Sequence, residues 1–421
     1  MSLELAFNAA KLTMDTMASV IPAGMTPPGI PALDIDPFGE SFLENPYPLH
    51  AQLRDLAPVV WLPRYGVAAI ARYEEVRKVL RDWQTFSSAR GVGLADLAHQ
   101  QRFRLPSLLL EADPPDHDRA RRVMNKALSN TVMEGLRERF LAVAESLVAE
   151  LLARGECDGI VDIAEAYPLQ VFPDAIGMKR EGRHHLLPYG DMVFNSFGPE
   201  NERFRQSAPR AAIAFPWVKE QALRENLTAD GFGMIVYQAV DAGEISEEDG
   251  GVLVRSMLTA GVDTTVNGIG AALYCLCRWP EQWNELRSHP DLARAAFEEA
   301  VRIESPVQTF FRTATRSCTL AGSDLPEGQK ILMLLASANR DPRRWQNPDD
   351  YDITRVTGGH VGFGFGIHAC VGQLLARLEG EAVLRALALR VSRIEAAGPP
   401  VRRYNNTLRG LSSLPLRLLP T

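Results

Sequence analysis

The stretch from Ser246 to Pro280 sets the scale of whatever this chain folds into. Ser246-Glu-Glu-Asp249 reads as a capping box with acids at the positive end of a helix dipole, and Pro280 cannot extend the helix further. A continuous helix between them would span about 50 Å at 1.5 Å per residue, which suits a central strut crossing one large unit. Its middle, Ala260-Gly261-Val262-Asp263-Thr264-Thr265, places a small residue, an acid and hydroxyls where a buried helix prefers leucine. Such polarity inside a core needs partners or a purpose. A purely local reading is that Thr264 and Thr265 bond back to the preceding turn and bend the helix, while a cation elsewhere in the chain holds Asp263.

Around this strut the periodicity is mostly helical. Apolar residues recur at three and four through 131–154, 291–304 and 371–391, and Tyr73, Val76, Val79 and Leu80 mark a shorter helix over 73–81. Runs 58–62 and 67–71 read as strands, and 307–335 turns β-like. Seven prolines between Pro22 and Pro48 predict an extended arm across the surface, with ordered structure beginning after it. Residues 341–369 hold two prolines and five glycines without periodicity and predict a long irregular loop. No repeat is present, so the expected fold is one mainly α unit with a small β region.

Composition narrows the partners. A net charge of -7 from 45 basic and 52 acidic residues points to neither nucleic acid nor an anionic membrane; small molecules or basic protein patches fit better. The first twenty residues, with Glu4, Lys11 and Asp15, lack a spanning apolar run and a secretory leader, and five cysteines are an odd number for a disulfide framework. A soluble protein of the reducing cytoplasm is expected.

The sharpest chemistry lies in Phe363-Gly-Phe-Gly366-Ile-His368-Ala-Cys370-Val-Gly372. Glycines let backbone approach a flat ligand, and the amides of the following helix favour a thiolate and lower its pKa. An anionic sulfur is what an electron-donating haem ligand requires, whereas zinc would need further ligands that only His368 could begin to supply. A buried structural cysteine is the alternative for any single Cys.

Here the chain resembles the cytochrome P450 family, whose haem loop Phe-x-x-Gly-x-His-x-Cys-x-Gly matches residues 363–372 at every fixed position. Glu299-Ala-Val-Arg302 is similar to the family's Glu-x-x-Arg pair, and Ala260–Thr265 to its oxygen-activation motif. The resemblance runs from about Pro37 to Leu419 and implies the cytochrome P450 fold: a single triangular haem domain over 37–421, preceded by an N-terminal extension over 1–36. It implies haem b, iron protoporphyrin IX, with Cys370 as axial iron ligand and His117, Arg121, Arg312 and His368 on its propionates. His117 and Arg121 lie four apart and share a helix face. Without the resemblance each would be read as a solvated charge. Glu299 and Arg302, one turn apart, are expected to hold the Cys370 loop as a folding device rather than a chemical one.

The implied activity is monooxygenation. Dioxygen and two electrons reach the iron, and Asp263 and Thr264 deliver protons for heterolytic O–O cleavage favoured by the thiolate. The acid-alcohol pair favours O2 over peroxide, setting the chain apart from peroxygenases of the same family. With no flavin or iron-sulfur segment, electrons are expected from an iron-sulfur ferredoxin served by a ferredoxin reductase.

Several stretches are similar to P450s that oxidise para-substituted benzoates such as 4-methoxybenzoate: Arg104-Leu-Pro-Ser107, Met192–Pro199 and Val307–Phe311. That likeness implies a small aromatic carboxylate held by Arg104 and Ser107, with Arg255 and Ser256 as a second contact. Phe194, Phe197 and Phe310 are the implied aromatic walls, with Val307 nearby and Ala260 leaving room over the haem. Burying a carboxylate beside an apolar ring demands donors at one end and aromatic walls at the other. Proximity would then direct oxidation, O-demethylation or hydroxylation, to the para substituent. A solvated Arg104 and ordinary core phenylalanines are the bland alternatives. Another small apolar substrate, terpenoid or fatty acid, and a haem-thiolate sensor that turns nothing over, are the competing functions.

Overall fold

In the computed structural model, which describes residues 24–99 and 106–421, the long central helix is two helices. Glu247–Ala260 starts on the expected capping box, Ser246 and Asp249 each bonding the other's backbone, and Asp263–Arg278 follows after a break at Gly261 and Val262. The cause lies in the motif. Thr264 Oγ1 donates to Ala260 O at 2.7 Å and Thr265 Oγ1 to Gly261 O at 3.3 Å, so hydroxyls compete for the carbonyls on which a regular helix is built.

The second helix runs through the larger core, against Gln373–Arg390, Ala293–Glu304 and the π-helical turn Gly159–Glu165. Gln373–Arg390 in turn packs along Asn130–Arg154. That 25-residue helix begins where Ser129 accepts the Val132 amide and ends at Gly155, whose φ of +79° a side chain would strain.

A five-stranded sheet forms the smaller region, in the order Val60–Leu62, Val67–Ile70, Lys330–Leu334, Thr309–Ala314, Phe86–Ser87. Only the pairing of Ala68–Ile70 with Ile331–Met333 is parallel. Lys330–Leu334 is central and buried along its length, and a separate core of Trp61, Tyr73, Ile331 and Trp345 sits on one face of the sheet. Residues 341–365 hold no helix or strand, as their glycines and prolines indicated.

The proline-rich arm is shorter than expected. Glu40–Glu44 and Tyr47–Leu56 are helices, burying Phe42, His50 and Leu53. Pro46 caps the second helix and Pro48 lies in its first turn, where a missing N–H costs nothing. Ahead of them Trp61 N–H donates to Pro31 O and Leu33 N–H to Trp61 O, so residues 31–33 line the sheet edge. Among the described residues no helix is long and apolar enough to cross a membrane.

Candidate functional site

Cys370 stands between the 3-10 turn Gly366–His368 and the helix Gln373–Arg390. Gly366, at φ +73°, lies so close to the preceding layer that a Cβ would come within 2.7 Å of Leu80 O. The Cys370 amide donates to Phe363 O at 2.8 Å, folding the loop back under the sulfur. Burial pushes the thiol up, and the amides of Gly372 and Gln373 with the Arg121 and Arg377 cations pull it down. A bound metal ion would add a stronger pull toward the thiolate. Among the described residues no three His, Cys, Asp or Glu side chains could hold a metal together, so a partner for Cys370 must bring its other ligands with it.

Behind the loop the charges are paired. Glu299 and Arg302, both fully buried, form a bidentate pair with two contacts of 2.7 Å. Arg302 also donates to Asn339 O and Pro348 O at 2.8 Å, and to Asp350 O at 3.1 Å, while Arg355 Nε reaches Glu299 at 2.9 Å. The pair thus staples the irregular segment, as expected. Glu298 bridges His360, at 2.7 Å, and Arg377. Burial pushes its carboxyl up, but these two hydrogen bonds pull it down to about 2.

On the other side of Cys370 a single cavity opens and reaches Ala260 and Thr264 on the broken helix. Arg121, Arg312 and His368 line it. Arg312 is almost wholly buried and donates to Phe311 O at 2.8 Å; burial lowers its pKa to about 10, with Asp113 opposing. Arg121 donates to Ala369 O at 2.5 Å. His117 is off the wall, its ring 4.6 Å from that of His368, and its buried Nε2 has no partner. Both nitrogens of His368 are engaged, one with Ser88 Oγ and one with Leu109 O, each at 2.9 Å. Two guanidinium groups at a dry cavity beside an orphaned imidazole nitrogen fit a flat ligand with an anionic edge, which is what a haem propionate face presents.

Asp263 is 2% exposed, and neither carboxyl oxygen has a hydrogen-bond partner. Burial raises its pKa to about 7; Arg403 opposes this, and Asp191 and Glu165 add to it. The helix Leu186–Asn195 presses on it through Gly190, where a Cβ would lie 2.0 Å from Oδ2. Gly190, Asp191, Glu165 and Arg403 were missed from sequence. Only Gly190 carried a signal, since glycine inside a helix costs about 1 kcal/mol and so wants a reason. Thr264 lines the cavity.

Of the residues expected to contact substrate, Ser107, Arg255, Ser256, Phe194, Phe197, Ala260, Val307 and Phe310 all line this same cavity. Arg104 lies outside the described residues. The Ser107 and Ser256 hydroxyls are 3.4 Å apart. Ser107 Oγ accepts from the Leu109 and Leu110 amides at 3.3 and 3.2 Å, and Ser256 Oγ donates to Val252 O at 2.9 Å, so the Ser107 proton points to Ser256 Oγ. Phe194, Phe197 and Phe310 meet edge to face, with successive centroids 5.8 Å apart. Leu109, Met257 and Thr259 also line the space and were not anticipated.

Comparison with known proteins gives one answer. The family model described as "Cytochrome P450" matches residues 219–394. The chain is 56% identical over 412 residues to cytochrome P450 CYP199A2 of Rhodopseudomonas palustris, covering 97% of this chain and 100% of that one. It is 32% identical to cytochrome P450 107B1 of Saccharopolyspora erythraea over 403 residues, 91% of this chain and 98% of that one. Among solved structures, cytochrome P450 CREJ in complex with (4-ethylphenyl) dihydrogen phosphate aligns with a TM-score of 0.82 at 25% identity, over 91% of this chain and 98% of that one.

Proposed function

The chain belongs to the cytochrome P450 family, haem-thiolate monooxygenases, and from that premise we propose that it oxidises the para substituent of small aromatic carboxylic acids of the 4-methoxybenzoate type. The observation that carries the reading is the content of one cavity: hydroxyls of Ser107 and Ser256 with the Arg255 guanidinium, and a cluster of three phenylalanines, all sharing the space that runs to Cys370. Donors and aromatic walls together are what a carboxylate on an apolar ring needs. The CREJ structure, by its title, holds a para-alkylphenyl phosphate, likewise an aromatic ring with an anion at one end and an alkyl group at the other.

In this reading Cys370 would ligate haem iron, and Arg121 and Arg312, which line the cavity, would face the propionates, with His368 on the same wall and His117 behind it. Bound haem supplies the activation of dioxygen and the one-electron steps, fed by a redox partner for which an iron-sulfur ferredoxin with its reductase is proposed. The protein's own share is positional and protic. Ser107 and Ser256, with Arg255 and Arg104, hold the carboxylate and so fix which end of the ring points inward. Ala260 keeps the approach open, and the phenylalanines exclude water. Asp263, neutral below about pH 7, holds a proton at its carboxyl next to Thr264, whose hydroxyl rests on Ala260 O and faces the cavity.

Titration of haem-loaded protein with 4-methoxybenzoate tests this through the Soret band. A low-to-high-spin shift that weakens in Arg104→Ala and in Ser256→Ala is expected. Absence of a shift, or one undiminished in both variants, refutes the carboxylate clamp. Consumption of reduced nicotinamide coupled to demethylated product, with ferredoxin and reductase added, separates an enzyme from a sensor.

A further inference from the structure

The hairpin turn Asn405–Leu408, between the strands Val401–Tyr404 and Arg409–Ser413, is buried, with Asn405, Asn406 and Thr407 each at 3% exposure or less. Turns ordinarily lie on the surface, because buried backbone must find partners. This one finds them in a single place. Asn405 Oδ1 accepts the amides of Thr407 and Leu408 at 3.0 and 3.1 Å, closing the turn, which frees its amide group to donate to Asp191 O and Oδ1, both at 3.1 Å. Asn406 donates from its backbone to Asn195 Oδ1 at 3.0 Å, and from its side chain to Asn195 O at 2.9 Å and Pro199 O at 3.3 Å. It also exchanges side-chain bonds with Asn201 at 2.8 and 3.2 Å.

The partners Asp191, Asn195, Pro199 and Asn201 bracket Phe194 and Phe197. From the other side Leu94 N–H donates to Phe197 O at 2.8 Å, and Gly93 packs so tightly that a Cβ would lie 2.7 Å from Phe197 Cα. The same turn holds the next part of the wall. Gln308 N–H donates to Thr407 O at 2.9 Å, and Val307 bridges Leu408, two residues from Phe310 and its neighbours on the cavity. Neither asparagine lines the cavity itself.

We propose that Asn405 and Asn406 are specificity-determining positioning residues: they pin the segment bearing Phe194 and Phe197 to the turn that holds Val307 and Gln308, just ahead of the strand bearing Phe310, and so keep the site closed to ligands bulkier than a single substituted ring. The proposal rests on the reading of this cavity as the substrate site, though not on which substrate fills it. Apolar replacement of Asn406 would remove its side-chain bonds to Asn195 O, Pro199 O and Asn201, take the acceptor from Asn201 Nδ2, and loosen the wall.

The test is stopped-flow binding of two nitrogenous haem ligands to holoenzyme, imidazole and a bulky biarylimidazole, neither of which carries a carboxylate. In Asn406→Leu the bulky ligand should bind at least about tenfold faster while imidazole stays within about twofold, as expected when a gate and not the haem is altered. An unchanged ratio of the two rates, even with lowered thermal stability, marks a merely structural role and overturns the proposal. Should Asn406→Leu fail to load haem, hydrogen exchange of wild-type holoenzyme decides. The Leu94 and Asn406 amides, bonded across the brace, should be protected as strongly as those of Leu186–Asn195, and exchange at the rate of exposed turns refutes the brace. A preserved rate ratio effect with no 4-methoxybenzoate spin shift would break the benzoate reading alone.

Discussion

The two sides of Cys370 treat charge in opposite ways. On the side of the irregular loop, Glu299, Arg302, Arg355, Glu298, His360 and Arg377 are all paired, and Arg302 spends its remaining donors on three carbonyls of the segment it anchors. On the cavity side, Asp263 keeps two unbonded oxygens, His117 an unbonded Nε2, and Arg312 a buried cation whose closest acid, Asp113, acts only at a distance. Burying an unpaired polar group is costly, so a fold keeps one where a ligand or a proton will repay it. Beside Cys370 the completed pairs hold the loop, while unsatisfied buried groups are not confined to the cavity side, since Glu379 and His50 also lack partners.

Three substitutions can break or sharpen that contrast. The largest effect is expected from Arg302→Met, which leaves Glu299 with Arg355 and the Asp352 amide and frees the carbonyls of Asn339 and Pro348; a loss of about 3–5 kcal/mol follows from unpairing a buried charge, out of a total of about 5–15. Chemical denaturation would measure it, and a loss under about 1 kcal/mol would deny the pair its anchoring part. Next comes Asp263→Asn, on the unsatisfied side. Turnover should fall by about 10²–10⁴-fold with the fold intact, and the decline in rate as pH rises past about 7 should vanish with the carboxyl. Stability supplies a second readout. A carboxyl at about 7 when folded and about 3.9 when unfolded binds more protons in the folded state, so wild-type stability should fall as pH climbs between those values and then level off. Asp263→Asn should lose that slope, and a variant that is as pH-dependent as wild type would contradict the assignment. The smallest effect belongs to Lys126→Ala, which removes an exposed pair with Glu244 and should change the free energy of unfolding by no more than about 0.5 kcal/mol.

Local signals were the ones legible in the sequence. The strands near 60 and 67, the helices at 73, 130 and 373, the capping box at Ser246 and the paired turn Glu299–Arg302 are all written within a few residues of themselves, and the structure has each of them. The Cys370 loop was legible because glycines and a lone thiol ahead of a helix are rare together. Prolines misled at 40–56, since the same residue that ends a helix also starts one, and only the buried faces of Phe42 and Leu53 decide which. At 260–265 the local reading holds in part: the hydroxyls do bond back and break the helix, at the edge of the cavity, but among the described residues no cation bonds the Asp263 oxygens. The surroundings of Asp263 were illegible. Glu165, Asp191 and Arg403 come from a π-helical turn, a helix and a hairpin far apart along the chain, and nothing local records that they meet.

Gly190 has a practical corollary for anyone who wants to retune this pocket by randomising its walls. Any side chain there would meet the Asp263 carboxyl, a Cβ lying 2.0 Å from Oδ2 and 2.9 Å from Cγ, so a library built at 190 moves the acid before it reshapes the cavity. Val193, one turn further along the same helix, lines the cavity itself. Diversity introduced at 193 explores new shapes for the guest, whereas diversity at 190 displaces the acid.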